Sequence, residues 1–112
     1  MNLIQPGITE LRRKLRERSI TSADVVDALI ARTETHFALN GYVAFDPQGL
    51  RAQARAADLL IAAGQDLPLL GVPIALKDNI DAAGWPTSAG TPALLAHRPM
   101  HDAAVTGRLR RS

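Results

Sequence analysis

The feature that most constrains the fold is an apolar run near the middle of the chain, residues 67–76, with the sequence LPLLGVPIAL. The run is too short for a buried helix, and its two prolines interrupt helical hydrogen bonding. We therefore predict a buried strand over Val72–Leu76, with Pro73 near its start, where a missing backbone donor is tolerated. A strand that is apolar on both faces needs neighbouring strands and covering helices. The sequence offers one other candidate strand, Tyr42–Phe45, which is aromatic and β-branched.

Four other segments have the patterns of helices. In the first, Ile8, Leu11 and Leu15 recur at helical spacing and are predicted to face inward. The second opens with Thr21-Ser22-Ala23-Asp24, which is typical of a capping box. Gly64 follows the third as a predicted C-terminal cap, and Asp102 precedes the fourth as a predicted N-cap. The predicted helices are Ile8–Arg18, Ser22 to about Asn40, Gln48–Ala63 and Ala103–Arg111.

Together these elements predict an α/β fold that is incomplete as given. Two candidate strands cannot form a covered sheet by themselves, and the last predicted helix has neither a Gly or Asn cap nor a return strand. We expect a fragment of a single domain, with a mainly helical N-terminal layer over residues 1–66 and the start of an α/β core over residues 67–112. An incomplete sheet would leave apolar surface exposed.

Composition argues against several classes of protein. Charged residues interrupt every apolar run before it reaches the roughly 20 residues that cross a membrane, and we recognise no signal peptide. The sequence has no cysteine, so it offers no disulfide and no thiolate nucleophile, and the cytoplasm is the expected compartment. The net charge of +2 is small for a protein that binds nucleic acid. We therefore expect neither a membrane nor a nucleic acid as partner.

Lys77 is a lysine in a chain whose basic residues are nearly all arginine. The chain has two lysines, Lys14 and Lys77, and its other eleven basic residues are arginine. Lys77 directly follows the predicted strand Val72–Leu76, and α/β proteins place functional groups at the carboxyl ends of strands. A buried lysine can lose its proton and act as a base, whereas a guanidinium cannot. The alternative is a strand-end lysine whose ammonium reaches solvent along its apolar stem.

The segment around Lys77 is similar to a known family block. Residues 71–94 read GVPIALKDNIDAAGWPTSAGTPAL. This run resembles the lysine block of the amidase-signature family, in which a GVPI-type strand leads into KDN and then into a G-x-x-T-[ST]-x-G-[ST]-x-A-L loop. The tail from Asp102 to Arg110 is similar to the helix that follows in that family. The loop sequence TSAGTPAL is most similar to the branch that hydrolyses arylacetamides, such as indoleacetamide and mandelamide hydrolases.

The resemblance implies a mixed sheet covered by helices and the hydrolysis of carboxylic amides by a Ser, cis-Ser, Lys triad, with Lys77 as the lysine. The neutral amine would relay a proton through the bridging serine to activate the nucleophile. Asp78 and Asn79 match the motif as supports for the lysine and its backbone. No metal and no organic cofactor are implied, the partner is a small-molecule amide, and the complete enzyme is expected as a homo-oligomer. The loop that borders the site is matched by Thr87, Ser88, Gly90 and Thr91.

The two serines of the triad are not evident in this sequence. Its only serines are Ser19, Ser22, Ser88 and Ser112, and none lies in a Gly-Ser-Ser-Gly setting. We therefore expect an N-terminal piece of an amidase that hydrolyses nothing alone.

Two other functions stay open at this point. The arginines of the first and last helices would suit a small basic module that binds nucleic acid, and such binding would weaken steeply with salt. The chain would also suit an assembly partner for a separate serine-bearing polypeptide. We set aside His97 and His101 as zinc ligands, because Pro99 lies between them and no acidic third ligand is suitably spaced.

Overall fold

The computed structural model describes residues 2, 3 and 5–112. These residues form four α-helices, numbered in chain order as α1 (Ile8–Arg16), α2 (Ser22–Thr35), α3 (Pro47–Ala62) and α4 (Ala104–Arg111). Two single 3₁₀ turns, Phe37–Leu39 and Pro92–Leu94, lie in the connections. Within the described residues, no helix has both the length and the apolar character that crossing a membrane requires. The chain divides into two compact units.

Local capping chemistry sets the start of α2. The Thr21 hydroxyl accepts a hydrogen bond from the Asp24 backbone amide at 3.0 Å, and the Asp24 carboxylate accepts one from the Thr21 amide at 3.0 Å. This reciprocal pair satisfies two amides that have no partner inside the helix. The predicted capping box is confirmed.

A glycine sets the end of α3. Gly64 has a φ of +87°, which a side chain disfavours, and its amide donates to the Ile61 carbonyl at 3.0 Å. The following amide, that of Gln65, reaches back to the Leu60 carbonyl at 3.0 Å. These two bonds form a Schellman motif, which satisfies the last carbonyls of the helix. The prediction for Gly64 is confirmed.

The first unit extends to Gly41 and resumes over Phe45–Pro73, so it contains α1, α2 and α3. Leu11 and Leu15 face inward as their spacing predicts, whereas Ile8 is exposed. α2 packs against α3, and α1 contributes its inner face. The unit has two clusters of buried side chains, one formed by Leu11, Leu15, Ile20, Val25 and Ile61 and the other by Val26, Ile30 and Ala54.

Polar contacts in this unit hold the first residue of the lysine block, Gly71. The Asp58 carboxylate, on α3, accepts the Ser22 amide at 2.7 Å and the Ala23 amide at 3.0 Å. A carboxylate at a helix N-terminus also interacts favourably with the helix dipole. The Ser22 hydroxyl donates to the Gly71 carbonyl at 2.8 Å. The start of α2 is thereby tied both to α3 and to the residue that opens the GVPI sequence.

The two predicted strands are not strands in this structure. Residues 42–45 and 72–76 have neither helical nor strand structure, and the described part of the chain contains no β-strand. A strand is stabilised by hydrogen bonds to a neighbouring strand, and neither segment has such a neighbour among the described residues. Ile74 and Leu76, which were expected to be buried, are 44% and 37% exposed. The architecture of the residues that the structure describes is four helices without a sheet.

The second unit comprises Tyr42–Ala44 and Ile74–Ser112. Its last helix, α4, is not capped by Asp102 as predicted, because the N-cap residue is Ala103 and makes no side-chain cap bond. The Asp102 carboxylate instead accepts the Ala83 amide at 2.7 Å and pairs with Arg110 at 3.0 Å. The side chain is thus occupied by a distant loop amide, which competes with the local cap.

Candidate active site

Lys77 lies at the head of a loop in the second unit. Residues 72–77 lead into a turn in which the Ile80 amide donates to the Lys77 carbonyl at 3.0 Å. The Lys77 side chain is exposed, and its ammonium group forms no ion pair with any residue that the structure describes. A lysine that acts as a base needs a site of low polarity, which disfavours its charged form. The residues described do not by themselves enclose Lys77 in such a site.

Asp78, the next residue, has a carboxylate that accepts three hydrogen bonds from the loop. One carboxylate oxygen, Oδ1, accepts the Ser88 amide at 3.0 Å. The other, Oδ2, accepts the Ser88 hydroxyl through a short hydrogen bond and the Gly90 amide at 3.3 Å. The Asp78 backbone carbonyl also accepts the Ala89 amide at 3.1 Å. Three successive backbone amides therefore donate to a single residue.

These donors favour the ionised form of the carboxyl group. The Ser88 hydroxyl and then the Ser88 amide, followed by the Gly90 amide and the positive charge of Lys77, hold the pKa of Asp78 below its usual value. Hydrogen bonds to a carboxylate stabilise its charge more than they stabilise the neutral acid. Asp78 is therefore an anion at neutral pH, next to the lysine.

Residues 88–91 form a tight turn, which we call the Ser88 turn. The Thr91 amide donates to the Ser88 carbonyl at 2.9 Å. Its two central residues, Ala89 and Gly90, have φ values of +48° and +72°. Two left-handed central residues are the mark of a type I′ turn, which favours glycine or asparagine. Ala89 adopts this conformation in spite of its side chain.

Thr87 and Ser88 are the buried polar side chains of the loop. Ser88 is 3% exposed and its hydroxyl donates to Asp78, so this serine is not positioned to attack a substrate. Thr87 is 7% exposed, and its amide donates to the His97 carbonyl at 3.0 Å. The Thr87 hydroxyl is buried and has no hydrogen-bond partner among the described residues. A buried hydroxyl without a partner carries a desolvation cost, so it is a group available for a further partner.

The structure groups some of the predicted site residues and leaves others apart. Asp78, Ser88 and Gly90 are joined by direct hydrogen bonds, and Thr91 is joined to them through the Ser88 carbonyl. Lys77 is next to this group in sequence, but its carbonyl accepts the Ile80 amide, and no hydrogen bond among the described residues joins Lys77 to the group. Asn79 is exposed and forms no side-chain hydrogen bond with the described residues.

Two supports of the loop were not predicted from the sequence. The Asp81 carbonyl accepts the Ala103 amide at 2.9 Å and the Thr106 hydroxyl at 2.7 Å, which ties the loop to α4. The His97 carbonyl holds Thr87. Both acceptors belong to the backbone, and a backbone carbonyl leaves no signal in the residue type. The described residues contain no group of three or more side chains arranged to hold a metal ion.

Comparison with known proteins gives a family match across most of the chain. A family model described as Amidase matches residues 24–112, a range that contains Lys77 and the Ser88 turn.

Curated proteins with similar sequences include proteins of two descriptions. One subunit of the glutamyl-tRNA(Gln) amidotransferase of Cupriavidus metallidurans is 43% identical over 106 residues, which cover 92% of this chain and 21% of that protein. The same subunit from Geobacter sulfurreducens is 40% identical over 111 residues, which cover 98% and 23% respectively. Mandelamide hydrolase of Pseudomonas putida is 41% identical over 99 residues, which cover 88% and 20%. The chain thus spans about a fifth of the length of these relatives.

Proposed function

This chain belongs to the amidase family, and we propose that it is the N-terminal, lysine-bearing part of an enzyme that cleaves the C–N bond of carboxylic amides. The observation that carries the proposal is the position of Lys77. This residue lies inside the family match and heads a loop whose Asp78, Ser88 and Gly90 are bonded together. An ordered loop that begins at Lys77, inside the family match, is what supports the proposal.

In the proposed mechanism Lys77 is the base. Its neutral amine takes a proton, by way of a bridging serine, from the serine that attacks the amide carbonyl, and the proton later passes to the leaving amine. None of the four serines in this sequence lies in a Gly-Ser-Ser-Gly setting, and the loop serine, Ser88, is bonded to Asp78. We therefore place the bridging and nucleophilic serines outside these 112 residues, so that the chain alone turns over no amide.

The α/β fold is part of the same proposal. Ile74 and Leu76 flank the approach to Lys77 with exposed apolar side chains, and an apolar segment of this kind becomes a stable strand once it is paired and covered. We propose that residues 72–76 and 42–45 join a mixed sheet that further polypeptide completes. Burial of the segment would also enclose Lys77 and disfavour its charged form. Residues 1–66 would then form the helical N-terminal layer, and residues 67–112 the start of the core.

The substrate class is a choice between two kinds of amide chemistry. Similarity to mandelamide hydrolase supports an arylacetamide as substrate, and the loop sequence TSAGTPAL favours the same branch. Similarity to the amidotransferase subunits supports a second candidate, in which the protein works within a multi-subunit amidotransferase. We propose the hydrolase first, with a small-molecule amide as partner, a homo-oligomeric complete enzyme and a cytoplasmic location.

The test compares two polypeptides made from the same gene: the 112-residue chain and the product of the complete reading frame that contains it. Each is incubated with mandelamide, and the release of ammonia is measured. The proposal predicts ammonia from the complete product and none from the 112-residue chain. Ammonia release by the short chain would contradict the assignment of the serines. A complete product that hydrolyses no amide, but copurifies with other amidotransferase subunits, would favour the second candidate.

A further inference from the structure

We propose that Asp78 is a positioning residue that holds the Ser88 turn in its left-handed conformation and fixes that turn to the backbone next to Lys77. Its importance for catalysis rests on the proposed function, in which Lys77 is the base. The hydrogen bonds themselves do not depend on that function. Three successive amides, those of Ser88, Ala89 and Gly90, and the Ser88 hydroxyl all donate to this one residue.

The contacts require an ionised carboxyl group. Both oxygens of Asp78 act as acceptors, since Oδ1 receives the Ser88 amide and Oδ2 receives the Ser88 hydroxyl and the Gly90 amide. A carboxylate has only acceptors, whereas an asparagine has one acceptor oxygen and an NH₂ group. In Asp78→Asn, one set of N–H or O–H donors would face the NH₂ group of the asparagine. The two acceptor oxygens of the ionised carboxylate, and not only the shape of the side chain, therefore hold the turn.

The turn needs an external anchor because its own backbone is strained. Ala89 has a φ of +48°, where a Cβ atom is disfavoured, and it is followed by Gly90 at +72°. A Cβ added at Gly90 would have no atom within 4 Å, so this glycine is required by its conformation and not by crowding. Without the bonds to Asp78, the preference of Ala89 for negative φ would open the turn.

Asp78 acts on the turn and not as a partner of the lysine side chain. The Lys77 ammonium makes no ion pair with any described residue. After the Ser88 hydroxyl and the Ser88 and Gly90 amides, its positive charge also contributes to the lowered pKa of the Asp78 carboxyl. The donors of the turn occupy the carboxylate, so its hydrogen bonds hold the turn and none of them reaches the Lys77 side chain.

The test uses the 112-residue chain and amide NMR, with no assay of activity. As the pH is lowered, the amide shifts of Ser88 and Gly90 are expected to change together. Their common midpoint should lie below the ordinary value for an aspartate, since the pKa of Asp78 is lowered by the Ser88 hydroxyl. In Asp78→Asn this titration should vanish, and hydrogen exchange at residues 88–90 should accelerate by about tenfold or more.

Two further variants separate this role from a general effect on folding. Asp102→Asn is the matched control in the same unit, because the Asp102 carboxylate binds the Ala83 amide. It should speed exchange at Ala83 and leave residues 88–90 protected. Adding Ala89→Gly to Asp78→Asn should restore part of the protection of residues 88–90, since glycine removes the strain.

The outcomes are distinct. Amide shifts of Ser88 and Gly90 that do not titrate together in the unmutated chain would overturn the inference, and so would unchanged exchange in Asp78→Asn. Neither result would bear on the proposal that the complete protein hydrolyses an amide. Conversely, a complete protein that hydrolyses no amide would remove the proposed function while the titration of the turn stands.

Discussion

Replacing Gly71 with alanine is expected to destabilise the first unit by about 3 kcal/mol, more than its left-handed backbone alone would cost. Gly71 opens the GVPI sequence and has a φ of +84°. A Cβ atom at this position would lie 3.2 Å from the Ile61 Cδ1 atom and 3.4 Å from both the Leu15 Cδ1 atom and the Ser22 Cβ atom. All three neighbours are buried, so they have little space in which to move away.

The expected destabilisation by Gly71→Ala has two parts. A non-glycine residue in the left-handed region costs about 1–2 kcal/mol. Inserting a methyl group into a packed core adds about 1–3 kcal/mol. The free-energy cost of crowding lies in the lower half of that range, because the closest atom is the end of the Ile61 side chain, which can rotate. Ser22 has less freedom, since its hydroxyl is bonded to the Gly71 carbonyl and its amide to Asp58.

The assay is urea unfolding followed by helical circular dichroism, which reports mainly the first unit because three of the four helices of the described residues lie in it. Gly64→Ala is the matched control. Gly64 has nearly the same φ, +87°, but a Cβ atom there would have nothing within 4 Å. It should lose only the conformational part, about 1 kcal/mol. Equal losses for the two variants would refute the claim that Gly71 is packed against Ile61, Leu15 and Ser22.

Two further predictions concern single groups in each unit. The pKa of Asp24 is lowered by the Thr21 hydroxyl and amide, so its stabilising effect is complete above the unfolded value, about pH 4, and is lost as the pH falls through the lower folded value. The urea midpoint should therefore fall on acidification, and the midpoint of Asp24→Asn should depend less on pH. The same pH dependence in Asp24→Asn and in the unmutated chain would argue against the capping box. Thr87→Val removes a buried hydroxyl that has no partner among the described residues, and it should stabilise the second unit by about 1 kcal/mol. Fluorescence of Trp85, the only tryptophan, would follow that unfolding, and a loss of stability would show that the hydroxyl is already hydrogen-bonded.

Local patterns in the sequence predicted all four helices that the structure describes, but α2 ends at Thr35, before the predicted end near Asn40. The capping box at Thr21 and Asp24 and the glycine stop at Gly64 involve residues only a few positions apart, so neighbouring residue types determine them. The helical spacing of Leu11 and Leu15 likewise identified side chains that are buried.

Structure that depends on distant partners was harder to predict. The segment 72–76 has the composition of a strand, but composition supplies no second strand to receive its hydrogen bonds. Asp102 has the residue type of an N-cap, yet its carboxylate is taken by the Ala83 amide, 19 positions away. The bonds from Ser88 to Asp78 join residues 10 positions apart through a loop whose path the sequence does not reveal. Lys77 was identified by its resemblance to a family block, and its role as a base stays a prediction.

The most decisive test of Lys77 as the proposed base is amide hydrolysis by the complete polypeptide carrying Lys77→Arg. Arginine keeps the positive charge but cannot give up its proton, so the rate should fall by about 10²- to 10⁴-fold. The control is Lys14→Arg, which changes the only other lysine of this sequence, on α1, and should leave the rate unchanged. Undiminished hydrolysis in Lys77→Arg would show that Lys77 is not the base.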